Sequence, residues 1–154
     1  MSVNNYQDII KNLRKGDVLK YPDNVKGTNK IRDHFLVFDS YKDCKVYGSI
    51  SNIGNWDGLL IDGLLRNDFK IYSWKDDKFI KKPKGLTKER LCKLISHLTS
   101  GDLIGYSFEG NNISTLIFDS LGEDLVKGKI LKSKPENDKS IFDFRSLDFK
   151  VCKW

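Results

Sequence analysis

Two stretches of the chain carry apolar residues on one face of a short helix, because their spacing is i, i+3, i+4 and i+7. In the first stretch these residues are Tyr6, Ile9, Ile10 and Leu13. In the second they are Leu91, Leu94, Ile95 and Leu98. Thr87 is placed as the N-cap of the second helix, and Gly16 and Gly101 stand where each helix would stop. The pattern therefore predicts two short amphipathic helices.

Short runs rich in Val, Ile, Phe and Tyr follow each predicted helix, and turn residues separate them. The first set of predicted strands covers 18–21, 35–38, 45–49, 59–61 and 69–74. The second set covers 103–108, 114–118, 125–131, 141–144 and 149–154. We therefore expect an α+β protein in which antiparallel strands dominate. Strands this short curl readily into small barrels.

The two sets of elements align with one another. A shift of 80 places residues 36–74 on 116–154 without a gap and with 12 identities in 39 positions, and upstream the shift is 85. This indicates a tandem duplication of a helix plus a small antiparallel barrel. The expected organisation is a first unit over 1–80, a basic connector and helix over 81–100 that belongs to the second unit, and a second set of strands over 101–154. We expect them to pack as one globular body.

The charge is concentrated in the connector. The chain has 27 basic and 21 acidic residues, and 81–100 alone holds six basic residues against one acidic residue. Such a patch suits a polyanion, although a solvated helix face is the alternative. The three cysteines have no paired spacing, so neither a disulfide framework nor a zinc site is expected. No membrane segment, metal or cofactor is expected, and the predicted location is cytoplasmic.

Four stretches, taken in order over residues 15–99, resemble the MazF/PemK family of toxin endoribonucleases. They are Lys15–Leu19, Lys30–Val37, Val46–Asn52 and Gly85–Leu98. The resemblance implies an SH3-like barrel that cleaves single-stranded RNA without a metal ion. It also implies a dimer with RNA across the interface, either a homodimer or a pseudo-dimer in which the second copy stands in for the partner subunit.

The resemblance places the catalytic residues in the first copy. Arg32 would stabilise charge on the phosphate, Ser51 is the strand-end hydroxyl with Ser49 as its rival, and His34 would move protons near neutral pH. Trp56 or Tyr47 would stack a base. The residues expected to hold RNA phosphates are Lys26, Lys30, Lys81, Lys82, Lys84, Lys88, Arg90 and Lys93.

A rival interpretation is a basic binding or inhibitor protein, of phage or mobile-element type, with no chemistry of its own. Asp33 stands where the family has proline, and its carboxylate would pair with Arg32. The second copy has Ser114 or Thr115 near where an arginine would be needed. In this interpretation the partner is an acidic protein, such as an antitoxin, or a nucleoprotein surface.

Overall fold

The computed structural model describes residues 5–25, 27–52, 57–109 and 112–154. The helices are α1 (Tyr6–Lys11), α2 (Ile61–Arg66) and α3 (Lys88–Ser96), with a 3₁₀ helix at Ile141–Ser146. The strands are β1 (Val18–Asn24), β2 (Ile31–Lys42), β3 (Lys45–Asn52), β4 (Asp57–Leu60), β5 (Phe69–Ser73), β6 (Lys78–Lys81), β7 (Leu103–Glu109), β8 (Asn112–Leu121), β9 (Leu125–Lys132), β10 (Asn137–Ser140) and β11 (Lys150–Cys152). The expectation of an α+β chain dominated by antiparallel strands is confirmed.

Both predicted amphipathic helices are present. Tyr6 and Ile10 of α1 are buried, as are Leu91 and Ile95 of α3. Thr87 caps α3 as predicted, because its side chain accepts a hydrogen bond from the Arg90 N–H. The two helices end before the predicted glycine stops, with Asn12 and His97 as their C-caps. Gly16 and Gly101 lie in the turns that follow, with φ near +98° and +100°, a backbone conformation that glycine adopts without strain.

The strands form two antiparallel sheets. The order in one is β10-β3-β2-β1-β11, and the order in the other is β4-β9-β8-β7-β5-β6. The first sheet belongs to a compact unit formed by Met1–Asn52 and Lys132–Trp154, called unit 1 below. The second belongs to a compact unit formed by Ile53–Leu131, called unit 2. Each unit thus takes strands from both halves of the sequence.

These compact units differ from the consecutive units expected at 1–80 and 101–154. Strands β4 and β5 of the first half pair with β9 and β7 of the second, whereas β10 and β11 of the second half pair with β3 and β1 of the first. The physical reason is pairing between distant strands, which hydrophobic periodicity along the chain does not encode.

Several contacts recur at the positions that the sequence alignment equates. The Gly16 N–H donates to the Phe38 carbonyl over 2.8 Å, and the Gly101 N–H donates to the Phe118 carbonyl over 2.7 Å. In the same way, the Ile141 N–H donates to the Cys44 carbonyl, and the Ile61 N–H donates to the Asp124 carbonyl. Each of these last two hydrogen bonds joins the start of a helix to a turn from the other half of the chain.

One expected strand, over 59–61, is wrong in part, and another, over 141–144, is wrong throughout. The structure has α2 beginning at Ile61 and the 3₁₀ helix beginning at Ile141, where strands were predicted over 59–61 and 141–144. In each helix a second residue three positions on is buried, Leu64 and Phe144 respectively. This i, i+3 spacing is typical of a helical turn. A segment of only six residues is too short for that spacing to distinguish a helix from a strand.

Each unit has its own apolar core between its sheet and its helices. In unit 1 the helix α1 and the 3₁₀ helix cover the sheet, with Tyr21, Leu36 and Phe144 among the buried residues. In unit 2 the helices α2 and α3 do so, with Tyr106 and Leu116 in the corresponding places. Within the described part of the chain, no helix is long and apolar enough to cross a membrane.

Candidate functional site

His34 lies near the start of β2, at the end of the core face of unit 1. It is directly opposite Tyr21 of β1 and Asn52 of β3. Its ring stacks on Tyr21 with the centroids 6.0 Å apart and the planes 25° from parallel. Its Nδ1 lies 3.1 Å from the Arg32 carbonyl oxygen. These contacts fix the ring while its half-exposed edge stays accessible to a ligand.

An ion pair completes the polar end of this core. The Lys139 ammonium of β10 donates to Asp23 Oδ2 of β1 over 3.2 Å. The same ammonium lies 5.2 Å from the ring centre of Tyr21 and 5.8 Å from that of Phe144. Because β10 and β1 are separated by two strands in the sheet, this contact requires the sheet to curve strongly.

The environment of this cluster shifts two pKa values. Burial, and after it the charge of Asp23, raises the pKa of Tyr21 above its ordinary value, so its hydroxyl stays protonated. Partial burial acts to raise the pKa of Asp23 as well. Hydrogen bonds from the Asn24 N–H and from Lys139, together with the positive charges of Lys139 and His34, outweigh that effect and leave the pKa of Asp23 lowered.

A groove of about 690 Å³ opens beside His34. It lies at the end of β3, beyond Gly48, the last residue of β3 that pairs with β10. The residues that line it are Val25, His34, Tyr47, Ile50, Ser51, Asn52, Pro135, Glu136, Asn137 and Asp138. Since the groove follows the open edge of the sheet, side chains from both faces of β3 contribute to it. It therefore combines an imidazole, a phenol, a hydroxyl and carboxylates.

The structure brings the predicted catalytic residues together only in part. His34 and Ser51 both line the groove, but Ser51 is opposite Phe35 and lies on the other face of the sheet from His34. Its hydroxyl donates to the Asn52 carbonyl over 3.0 Å. Ser49, the rival hydroxyl, is buried, and its single O–H has two acceptors within reach, the Lys134 carbonyl oxygen and Glu136 Oε2. Neither serine hydroxyl contacts His34.

Arg32 is exposed and shares a face of β2 with His34, two residues away. Asp33, the carboxylate expected to pair with Arg32, points to the opposite face. It lies 3.8 Å from the Lys20 ammonium. The expected Arg32–Asp33 pair is therefore wrong, because neighbouring residues of a strand face opposite sides of the sheet.

The predicted RNA-binding lysines and arginine belong to different units. Lys30 is exposed in the turn before β2 of unit 1, and Lys26 and Trp56 lie outside the described residues. The remaining six belong to unit 2. Two of them have internal partners: Lys82 donates to the carbonyls of Leu65 and Asn67, and Lys88 pairs with Asp62 and Asp124. Lys81, Lys84, Arg90 and Lys93 are exposed.

The pair with Asp124, and then its charge and that of Asp62, raise the pKa of Lys88. Lys88 therefore contributes to the fold of unit 2 through a surface ion pair and is less available to a ligand than Arg90 or Lys93.

Sequence reasoning missed Asp23, Lys139 and Glu136, which the fold places at the candidate site. Asp23 and Lys139 are 116 residues apart, so no local motif could reveal their contact. The aligned position for Lys139 is Leu59, which is half-buried against the core of unit 2. The signal in the sequence that could have revealed Lys139 was its alignment with a core leucine of the other copy. Comparisons of the chain with protein-family models, with curated proteins and with solved structures found no match.

Proposed function

We propose that the protein binds single-stranded RNA along the groove of unit 1 and cleaves it without a metal ion. The observation that supports this most is the position of His34, which lines the groove and follows exposed Arg32 on the same face of β2. An imidazole beside a guanidinium supplies a proton carrier and a charge for a phosphate. The resemblance to MazF/PemK toxins supports the same chemistry.

Cleavage would proceed by attack of a ribose 2′-hydroxyl on the adjacent phosphorus. The new P–O bond gives a 2′,3′-cyclic phosphate, and the 5′-oxygen leaves with a proton. The reaction needs a base, an acid and a group that stabilises charge on the phosphate. Glu136 and His34 both line the groove and are suited to the first two roles. Arg32, exposed on the same face of β2 as His34, is suited to the third. Ser51 would bind a phosphate oxygen or ribose hydroxyl.

Tyr47 supports the RNA preference of this proposal. It is half-buried and lines the groove, so one ring face can receive an unpaired base. Stacking of this kind tolerates many base sequences. Double-stranded RNA offers no unpaired base to the ring, and we therefore propose single-stranded RNA as the substrate.

The proposed architecture behind this function is a duplication. The recurring hydrogen bonds and the equivalent glycines support two copies of one ancestral unit, each completing a small SH3-like barrel. Only the first copy keeps the histidine, since Ser114 stands where His34 would align. We propose that the active groove belongs to unit 1 alone and that the protein acts in the cytoplasm. Its three cysteines form no disulfides with one another, which agrees with a reducing compartment.

The test is RNA cleavage with EDTA present. We expect discrete cleavage products, and we expect Arg32→Ala and His34→Gln each to lower the rate by about a hundredfold or more. Arg32→Lys should recover part of the loss in binding but little of the rate, because lysine lacks the forked donors. The readout is the appearance of 2′,3′-cyclic phosphate ends.

Two controls accompany this test. Arg145→Ala removes another exposed arginine of unit 1, and Ser114→Gln changes the position in unit 2 that aligns with His34. Both should cleave as the unaltered protein does. The proposal would be wrong if the unaltered protein left the RNA intact, or if Arg32→Ala cleaved RNA as fast as the unaltered protein.

A further inference from the structure

Helix α3 carries a second groove along its flank, beside the apolar face that packs on the core of unit 2. Its volume is about 340 Å³, and it is lined by Pro83, Leu86, Arg90, Lys93, Leu94 and His97. Leu94 is half-buried there, at the edge of the apolar face, while Leu91 and Ile95 of the same helix are fully buried in the core. The groove thus has an apolar floor of proline and leucine and a rim of exposed Arg90, Lys93 and His97.

The aligned helix α1 shows that the fold does not require this rim. The core positions match in character, as in Tyr6 with Leu91 and Ile10 with Ile95. The outward positions do not. Arg90, Lys93 and His97 align with Asn5, Asp8 and Asn12, which are also exposed. A helix in the same structural role is therefore stable without a basic face, so stability does not explain the rim of α3.

The surrounding charges also favour an acidic ligand. The segment 81–100 has Glu89 as its single acidic residue against six basic ones. Lys88 and Lys82 are held by partners within unit 2, whereas Arg90 and Lys93 point to solvent beside the groove. Two cations beside half-buried leucines suit a ligand that offers both carboxylates and an apolar side chain.

We infer that this groove docks an acidic protein segment, with one apolar side chain of the partner inserted between Leu86 and Leu94 and its carboxylates on Arg90 and Lys93. A phosphate backbone would satisfy the cations but would leave the apolar floor unfilled. A protein segment satisfies both, and an apolar anchor within a polar rim is the usual source of interface affinity. The inference does not rest on the proposed RNA groove, which belongs to unit 1.

The experiment selects displayed random peptides for binding to the immobilised protein. The enriched peptides are then synthesised, and their affinities are measured. Three proteins are compared. The first is unaltered, and the second carries Arg90→Asn, Lys93→Asp and His97→Asn, which gives α3 the outward residues of α1. The third carries Lys11→Asp and Lys150→Asn, two exposed lysines of unit 1, and so loses the same net charge away from the groove.

We expect the enriched peptides to share acidic residues on either side of a Leu, Met or Phe. Their affinity should fall at least tenfold in the α3 variant, remain unchanged in the unit 1 variant, and weaken as salt is added. Leu94→Gln should also lower the affinity of these peptides about tenfold. Because Leu94 is outside the core, this variant should remain folded and can test the inference even if the triple variant unfolds. Thermal melting of each protein reports whether it is folded.

Any one of three results would overturn the inference. The first is a selection that enriches no peptide. The second is binding of the enriched peptides to the folded α3 variant as tightly as to the unaltered protein, and the third is an unchanged affinity for the Leu94→Gln variant. If single-stranded RNA binds with a Kd that the α3 variant raises while no peptide is enriched, the rim is a nucleic-acid surface and the protein-docking inference is wrong.

Discussion

At the scale of the residue, the ion pair of Asp23 and Lys139 joins the edge strand β10 to β1 across the curved sheet of unit 1. The Lys139 side chain is only 16% exposed, so its ammonium is partly desolvated and depends on Asp23 and on the faces of Tyr21 and Phe144. Asp23 is 38% exposed, and solvent therefore screens part of the attraction. The pair should orient β10 over the core more than it stabilises the fold.

Asp23→Asn should therefore destabilise the protein by about 0.5–1 kcal/mol at neutral pH, after this screening is counted. The folded-state pKa of Asp23 is lowered, so its contribution is fully present above the unfolded-state pKa of about 4 and is lost as the pH falls through the folded-state value. Denaturant titrations of both proteins across acid pH check this. The free energies of unfolding of the two proteins should converge once the pH is below the lowered folded-state pKa of Asp23. Asp148→Asn, which removes an exposed carboxylate of unit 1, should show no such difference from the unaltered protein at neutral pH.

At the scale of the element, two equivalent glycines allow neighbouring strands to approach closely. A Cβ on Gly48 of β3 would lie 2.2 Å from the Val37 carbonyl oxygen, and one on Gly128 of β9 would lie 2.1 Å from the Ile117 carbonyl oxygen. Both contacts are to backbone, so the strand itself would have to move. In each sheet the glycine stands next to the strand contributed by the other half of the chain, since β3 pairs with β10 and β9 pairs with β4.

We expect Gly48→Ala and Gly128→Ala each to destabilise the protein by about 1–3 kcal/mol, as overpacking does in other cores. Gly63→Ala is the matched control, because Gly63 lies within α2 and its nearest contact would be 4.0 Å away. That change should be neutral or stabilising by up to about 1 kcal/mol, the difference in helix propensity. Denaturant unfolding measures all three, and an unchanged midpoint for Gly48→Ala would contradict the close approach.

The elements also show how far the sequence could lead. The buried positions of the two helix faces and the Thr87 cap follow from local spacing, and the structure confirms them. The glycine stops were wrong, because α1 ends at Lys11 and α3 at Ser96, several residues before Gly16 and Gly101. Helix α2 and strand β10 were missed, because a single helical turn and a polar strand give almost no periodic signal.

At the candidate site, His34 was proposed from the resemblance of Lys30–Val37 to the toxin family, and the structure places it in the lining of the groove. Glu136 and Lys139 were missed because they reach the site only through the pairing of β10 with β3.

At the scale of the whole molecule, neither half of the sequence holds a complete sheet. Residues 1–84 lack the strands β10 and β11 of unit 1, and residues 85–154 lack the strands β4, β5 and β6 of unit 2. The exposed turn at Pro83–Gly85 separates the halves at the alignment boundary. Each half alone would leave β-strand edges and apolar surface open to solvent.

We predict that fragments 1–84 and 85–154 are each unfolded or aggregated alone and recover the native fold when refolded together. Near-ultraviolet circular dichroism of the tryptophans and a cooperative thermal transition are the measurements. A control mixture in which one fragment carries Gly128→Ala should recover less. Cooperative unfolding of fragment 1–84 by itself would contradict the exchanged pairing.

The exchange of strands also has a consequence for the protein as it is synthesised. Unit 2 is one continuous segment, Ile53–Leu131, and it is synthesised between the two parts of unit 1. Strands β1, β2 and β3 leave the ribosome first, yet their sheet gains its outer strands only after β10 and β11 have been synthesised. The sheet of unit 1 can therefore be completed only after every strand of unit 2 has been made. Until then the first third of the growing chain has unpaired strand edges, which expose it to chaperones and to aggregation.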